Sequence, residues 1–161
     1  MHFANTKSVD IYTDGACAGN PGPGGFGAVL LYKSARKEIS GGYALTTNNR
    51  MELIAVIKAL ETLKEPCRIN LYSDSRYVVD AVEKGWAQRW QKNNWKRNKN
   101  DKALNHDLWE HLLSLTAKHR INFIWVKGHA DNPENNRCDQ LAREAIENAD
   151  LLVDEGFKPE Q

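Results

Sequence analysis

Alternating apolar and polar residues predict several short strands in this chain of 161 residues, at 9–13, 26–33, 37–44, 68–73 and 121–126. Apolar residues three and four positions apart predict helices over 51–63, about 75–84, 105–119 and 132–148. The order of the elements is typical of an α/β fold in which helices flank one five-stranded mixed sheet. The first three strands are expected to form an antiparallel meander. The domain is therefore predicted to span 1–148, with a loosely attached tail at 149–161 that lacks a clear pattern.

Composition limits the classes of protein to consider. Hydrophobic residues make up 41% and charged residues 27% of the chain, a balance typical of a soluble globular domain. No apolar segment is long enough to cross a membrane, and residues 1–5 do not resemble a signal peptide. The three cysteines form no C-x-x-C pair, and an odd number favours free thiols in a reducing compartment. We therefore expect a cytoplasmic protein without a membrane partner.

Two aspartates follow strands in similar local sequences. The strand at 9–13 ends in Thr13-Asp14-Gly15, and the strand at 68–73 is followed by Asp74 and a serine. Taken singly, each aspartate is equally consistent with a turn, where Asp before Gly or Ser is common. If the two strands are parallel neighbours, however, both carboxylates emerge at the same edge of the sheet.

Two further acidic residues lie on predicted helices. Glu52 is at the start of the apolar stripe that continues through Val56 and Leu63, and a buried carboxylate needs a partner or a metal. Asp139 follows a proline-led helix start and is flanked by apolar residues. Each could instead favour its helix through the positive N-terminal end of the helix dipole. Four carboxylates at one sheet edge would repel one another unless a hard cation held them, which indicates magnesium-dependent phosphate chemistry.

Five segments, in this order and spacing, resemble those of bacterial type 1 ribonuclease H: 12–15, 46–53, 72–75, 126–130 and 135–139. The resemblance covers about residues 8–147. It implies the ribonuclease H fold and a monomeric endonuclease that hydrolyses the RNA strand of an RNA–DNA hybrid, leaving 5′-phosphate and 3′-hydroxyl ends.

The same resemblance implies a catalytic site with two Mg²⁺ ions, for which Mn²⁺ is a possible substitute. Asp14 would contact both ions, Glu52 and Asp74 would complete the shell of one, and Asp139 would bind the other. Two ions can serve both the attacking and the leaving oxygen of a phosphodiester. His129, in a loop after the last strand, is implied as an auxiliary group that orients or deprotonates water, and its ordinary pKa suits proton transfer. Without the resemblance, an exposed loop histidine would be the better interpretation.

A basic, aromatic segment at 84–102 contains seven lysines and arginines and three of the five tryptophans. Such segments usually form a solvated helix whose tryptophans pack on the core. By resemblance, however, it corresponds to the basic handle that holds the DNA strand, with Trp86 the best candidate for direct contact. Cations neutralise phosphates, and aromatic rings pack on sugars or bases.

Further substrate-binding residues follow from the resemblance alone. Cys17, Asn20 and Asn48 would face the minor groove, where the 2′-hydroxyl distinguishes RNA from DNA. Arg76 stands where the family often has glutamine, so a phosphate contact is the alternative there to a contact in the groove. Thr47 and Asn105 would bind a DNA-strand phosphate, although both residue types are also favoured as helix caps.

Three other functions fit parts of the pattern. A hybrid-binding module that does not cut would be expected to lack one of the carboxylates, and all four are present. A DNA integrase or junction resolvase of similar fold would have little need of the basic segment or of 46–49. A structural domain without a site would require four independent coincidences.

Overall fold

The computed structural model describes residues 6–96, 104–128, 130–148 and 150–159. Its elements are β1 (Lys7–Cys17), β2 (Gly22–Tyr32), β3 (Ala35–Thr46), α1 (Asn48–Glu61), β4 (Cys67–Ser73), α2 (Arg76–Glu83), α3 (Trp86–Lys92), α4 (His106–Thr116), β5 (Arg120–Trp125) and α5 (Pro133–Ile146).

The strands form one mixed sheet in the order β3-β2-β1-β4-β5. β1, β2 and β3 are antiparallel neighbours, whereas β4 is parallel to β1 and β5 is parallel to β4. The predicted five-stranded mixed sheet and its antiparallel meander are therefore confirmed. Because β1 and β4 are parallel neighbours, the two carboxyl ends of these central strands meet at one edge of the sheet.

The two faces of the sheet are covered unequally. On one face α1 packs against β1 and β2 and is itself covered by α4, so Met51, Leu53 and Val56 are fully buried. On the other face α5 packs against β1, β2 and β3. Arg68 and Arg120, on β4 and β5, remain exposed. This arrangement leaves part of the second face open to solvent.

Side chains cap the helices that carry candidate site residues. Thr47 accepts a hydrogen bond from the backbone N–H of Arg50 at the start of α1, and Ser75 does the same for Val78 at the start of α2. Asn132 caps α5 in the same way, one residue before a proline. Such caps satisfy backbone donors that a helix start otherwise leaves free, so they fix where each helix begins.

β1 is longer than its alternation predicts. It continues through Asp14, which lies opposite Gly27 of β2, to Cys17. The alternative of a turn at Asp14 is therefore wrong: the residue is held by a central strand.

Within the described residues, the structure contains no helix long and apolar enough to cross a membrane.

The C-terminal segment departs from the expectation of a loosely attached tail. The backbone of Leu152 pairs with β3, accepting from the N–H of Ala44 at 2.8 Å and donating to Gly42 at 2.9 Å. Asp154 is buried and its carboxylate accepts from Thr46 Oγ1 and Arg50 Nε, each at 2.7 Å. Buried, charge-assisted hydrogen bonds thus attach this segment to the domain.

Candidate active site

A polar cleft of about 500 Å³ opens at the edge where β1 and β4 end. It is lined by residues of β1, α1, the β4–α2 connection and α5: Asp14, Gly15, Ala16, Cys17, Asn48, Asn49, Glu52, Asp74, Ser75, Arg76, Tyr77, Asn135, Asn136 and Asp139. All four carboxylates singled out from the sequence lie here.

Three of the carboxylates form a tight cluster. Asp14, Glu52 and Asp74 each place one carboxylate oxygen within 4.8 Å of the others. Asp14 and Glu52 are only 5% exposed, whereas Asp74 is half-buried. A strand, a helix and the residue after a second strand therefore deliver three oxygen ligands to one point.

Two glycines allow the close approach that this cluster needs. A Cβ on Gly15 would lie 2.5 Å from the carbonyl carbon of Met51 and 2.6 Å from the backbone nitrogen of Glu52. A Cβ on Gly128, in the loop after β5, would lie 2.8 Å from Asp74 Oδ2. Glycine at the first position brings β1 against the start of α1, and glycine at the second leaves room for the Asp74 carboxylate.

The charges in the cluster change its proton affinity. Burial, the charges of Asp74 and Asp139, and a hydrogen bond with Asp74 raise the pKa of Asp14 to about 8, although its own hydrogen bond from the Gly15 N–H opposes the rise. Burial and the charges of Asp14 and Asp74 raise the pKa of Glu52 well above its usual range. The protein alone therefore holds the fully ionised cluster poorly.

The cluster fits a divalent cation. Glu52 Oε1 is buried and has no hydrogen-bond partner in the described part of the chain. An unpaired, buried carboxylate oxygen is costly, and a hard cation satisfies it while offsetting the mutual repulsion of the three groups. Oxygen-only ligands with an open side suit Mg²⁺, which keeps several of its waters.

Asp139 joins the cleft from the opposite face of the sheet. It lies on α5, and its Oδ2 accepts from Arg143 Nε at 3.0 Å. It is outside the three-carboxylate cluster, but its charge contributes to the raised pKa of Asp14. Asp139 is thus placed to act at the same cleft from a second position.

The predicted groove residues lie at one side of the carboxylates. Cys17 lines the cleft, and its thiol donates to the carbonyls of Gly22 at 3.4 Å and Thr46 at 3.5 Å. Asn48 also lines the cleft, and its backbone N–H donates to Asn20 Oδ1 at 3.2 Å. These contacts join the start of α1 to the β1–β2 loop as one surface.

Thr47 and Asn105 do not line this cleft, but Arg50 connects the elements that carry them. Thr47 caps the helix turn that contains Arg50. Arg50 Nη1 donates to Asn105 Oδ1 at 3.2 Å, and Asn105 Nδ2 donates to the hydroxyl of Tyr77 at 3.2 Å. The Asn105 amide is therefore oriented from two sides.

Arg50 is a residue whose role the sequence reasoning missed. It is 2% exposed and binds two carboxylates, Asp107 and Asp154, with contacts of 2.7 Å to each. The available signal was a single arginine at the start of a helix that is apolar along most of its length.

Asn135 was also missed. Its side chain is 1% exposed and lines the cleft, and its Oδ1 has no hydrogen-bond partner among the residues that the structure describes. A buried amide without a partner is costly unless a ligand or water completes its hydrogen bonds. Its position four residues before Asp139 on a capped helix was the signal that could have identified it.

Arg76 lies at the rim of the cleft and is oriented by stacking. Its guanidinium sits 3.8 Å from the centre of the Trp125 ring. Trp125 Nε1 in turn donates to the backbone carbonyl of Asp74 at 3.1 Å. A stacked guanidinium keeps its donors free for a phosphate while giving up little freedom on binding.

The basic segment is described over 84–96. Gly85, at φ 74°, separates α2 from α3, and Trp86 begins α3 with 36% of its surface exposed and Lys84 Nζ 5.3 Å from its ring centre. Trp90 packs edge-on against the buried Trp109, with ring centres 6.3 Å apart. The remaining part of the segment, 97–102, and His129 lie outside the described residues.

Comparison with known proteins places this fold and cleft in a family. The RNase H family model matches residues 6–147. The chain belongs to the ribonuclease H family. Within the family, it is 64% identical over 151 residues to the Ribonuclease H of Syntrophus aciditrophicus (strain SB), covering 94% of this chain and 87% of that one. It is 58% identical over 152 residues to the Ribonuclease HI of Synechocystis sp. (strain ATCC 27184 / PCC 6803 / Kazusa), covering 94% and 95%.

Solved structures agree with the family assignment. LC9-RNase H1, described as a type 1 RNase H with the type 2 active-site motif, superposes with a TM-score of 0.81 at 31% identity, over 91% of this chain and 75% of that one. LC11-RNase H1, solved in complex with RNA/DNA hybrid, superposes with a TM-score of 0.68 at 25% identity, over 86% and 96%. The resemblance inferred from the five segments is confirmed.

Proposed function

We propose that this protein is an endoribonuclease that hydrolyses the RNA strand of RNA–DNA hybrids with the help of two Mg²⁺ ions. The observation that carries the proposal is the cluster of Asp14, Glu52 and Asp74, with an unpaired buried oxygen, in a chain of the ribonuclease H family. The complex of the related LC11-RNase H1 with RNA/DNA hybrid supports the choice of substrate.

Bound divalent ions would supply activation of water and neutralisation of charge on the phosphate. Hydrolysis adds the oxygen of water to phosphorus, breaks the bond from phosphorus to the 3′ oxygen and transfers a proton to that oxygen. The ends are therefore a 5′-phosphate and a 3′-hydroxyl. In the proposed roles, Asp14, Glu52 and Asp74 would hold one ion, and Asp14 and Asp139 would hold the other. His129 would move a proton during the reaction.

The substrate would lie across the cleft with the RNA phosphate at the carboxylates. Cys17, Asn20 and Asn48 form the surface on one side, where they meet the minor groove. Thr47 and Asn105 receive a phosphate of the DNA strand, and Trp86 with the basic residues around it contacts the same strand farther away. Arg76 contributes a phosphate contact at the rim.

A cleavage assay tests the proposal. Labelled RNA–DNA hybrid, duplex RNA and duplex DNA are incubated with Mg²⁺, with Mn²⁺ and with chelator, using the wild type, Asp14→Asn and, as a control, Asp131→Asn. We expect cutting of only the RNA strand of the hybrid, dependent on the ion and abolished in Asp14→Asn. The 5′ ends should be substrates for a phosphate-requiring exonuclease.

Two results would contradict the proposal. If the protein bound hybrid but did not cut it with either ion, it would be a binding module. Cutting of duplex DNA would indicate another nuclease chemistry on the same fold. We also propose that the protein is a monomer, which sedimentation at the assay concentration tests.

A further inference from the structure

The open half of the second sheet face carries two arginines directly beside each other. Arg68 of β4 and Arg120 of β5 are register partners in a parallel pair, and both are exposed. The guanidinium of neither arginine has an ion pair or hydrogen bond to any residue within 6–96, 104–128, 130–148 or 150–159. Like charges directly across two strands destabilise a sheet, so this pair is costly unless an anion lies between them.

The surroundings of the two arginines form a groove rather than a flat surface. It has a volume of about 340 Å³ and is lined by Ser8, Arg68, Ile69, Asn70, Arg120 and Asn122. Ser8 of β1 is the register partner of Arg68 on the other side, so a hydroxyl and two guanidinium groups lie in one row across three strands.

Two residues farther along each strand, a second row of side chains is joined by hydrogen bonds that fix the shape of the groove. Asn122 Nδ2 donates to Asn70 Oδ1 at 3.2 Å, and Asn70 Nδ2 donates to Asp10 Oδ1 at 3.3 Å. Asp10 is the one carboxylate of this row, and its contact is with the asparagine rather than with an arginine. The free donors of the groove are therefore the arginine forks, whose geometry matches phosphate oxygens.

The groove lies at the start of β4 and β5, and β4 leads from it to the active-site edge. Tyr72 follows Asn70 on β4 and precedes Asp74 along the chain. Its ring stacks on that of Tyr12, with ring centres 4.5 Å apart. Arg68 is six residues before Asp74, or about 20 Å along an extended strand. That distance corresponds to about six nucleotides of a duplex strand, or fewer in an extended single strand.

We propose that Arg68 and Arg120, with Ser8, form an accessory site for the phosphates of single-stranded RNA that continues beyond the hybrid held at the carboxylates. The inference rests on the proposed function, because the strand whose phosphate lies at Asp14 and Asp74 is the RNA strand. Charge complementarity selects the occupant: two unpaired cations on an open sheet face, beside the strand that leads to Asp74, match the RNA backbone.

Binding of blunt and overhanging hybrids tests the site. Fluorescence anisotropy in chelator compares a blunt hybrid with hybrids that carry an RNA overhang of about ten nucleotides at the 5′ or the 3′ end, for the wild type and for Arg68→Gln/Arg120→Gln. We expect the wild type to bind one overhanging hybrid more tightly than the blunt one. Two phosphate contacts predict that this advantage falls about sevenfold between about 50 and about 200 mM salt.

The double variant should bind both hybrids as the wild type binds the blunt one. Lys37→Gln/Lys118→Gln removes the same charge from exposed positions outside the groove and should keep the advantage. The inference would be overturned if the wild type bound the overhanging hybrids no more tightly than the blunt one, or if the arginine variant kept the tighter binding. An equal advantage from a DNA overhang would overturn the choice of RNA. Failure of the proposed function is distinguishable, because it would show as a blunt hybrid that is not cut with Mg²⁺.

Discussion

At the scale of single residues, the raised pKa of Asp14 has a consequence for stability. A carboxylate whose pKa is higher in the folded protein contributes stability that is fully present below its unfolded pKa, near 4, and is lost as pH rises through the folded value. For Asp14 that window runs from about pH 4 to about 8. Burial and the neighbouring carboxylates are the cause, and Glu52 acts in the same direction.

We therefore expect Asp14→Asn to stabilise the metal-free protein at pH 8 by on the order of 2 kcal/mol, and to have little effect at pH 4.5. The neutral amide removes one of three crowded charges. Urea denaturation in chelator at the two pH values measures the difference, with Asp131→Asn, an exposed carboxylate, as the control. Equal stability of wild type and Asp14→Asn at pH 8 would contradict the proposed repulsion.

Glu52 and Asp139 are expected to differ in their effect on the first ion bound. Glu52 belongs to the three-carboxylate cluster and Asp139 does not. Glu52→Gln should weaken Mg²⁺ binding by at least about tenfold, the lower range of effects seen even for residues behind metal ligands. Asp139→Asn should have a smaller effect. Titration calorimetry gives both affinities, and a reversed order would mean that the first ion lies nearer α5.

At the scale of elements, the packing of β1 against α1 depends on Gly15. Alanine there would place a Cβ against the backbone of Met51 and Glu52, and backbone cannot move aside as a flexible side chain can. We expect Gly15→Ala to cost about 1–3 kcal/mol of unfolding free energy and to abolish most cleavage. Gly128→Ala, which meets only the Asp74 carboxylate, should reduce cleavage with a smaller decrease in stability. Urea denaturation and initial rates separate the two effects.

The C-terminal segment is a second element whose attachment can be tested. Asp154→Asn removes a buried partner of Arg50 and should cost about 3–5 kcal/mol, because the guanidinium remains buried. Asp107→Asn, whose side chain is 40% exposed, should cost about 1 kcal/mol or less. Thermal or urea denaturation measures both. Similar destabilisation by the two variants would mean that burial of Asp154 is not what holds the segment.

These elements also show which features of the fold and of the site could be predicted from the sequence. The strands, their order along the chain and the four carboxylates could be predicted, because alternation, caps and strand-end aspartates are local signals. The extension of β1 to Cys17 could not, since it depends on pairing with glycines of β2. Nor could the ion pair of Arg50 with Asp154, which joins positions 104 residues apart and leaves no periodic trace in the tail.

At the scale of the whole molecule, the net charge of +1 conceals a separation of charge. The cleft gathers carboxylates, whereas Lys84, Arg89, Lys92 and Lys96 lie on the exposed surface around α3. A nucleic acid is attracted by the second region and repelled by the first until ions bind there. The basic segment should therefore govern affinity, and the carboxylates should govern the chemical step.

Replacing those four basic residues by glutamine tests this division. We expect the KM for hybrid to rise while kcat stays close to the wild-type value, because the carboxylate cluster is untouched. The salt dependence of binding should become shallower by about 0.9 in log–log slope for each phosphate that the variant no longer neutralises. Lys33, Lys37, Lys64 and Lys118 replaced together remove the same charge from other exposed positions. If both quadruple variants changed KM and slope equally, net charge rather than the position of the segment would determine binding, and its proposed contact with the DNA strand would be wrong.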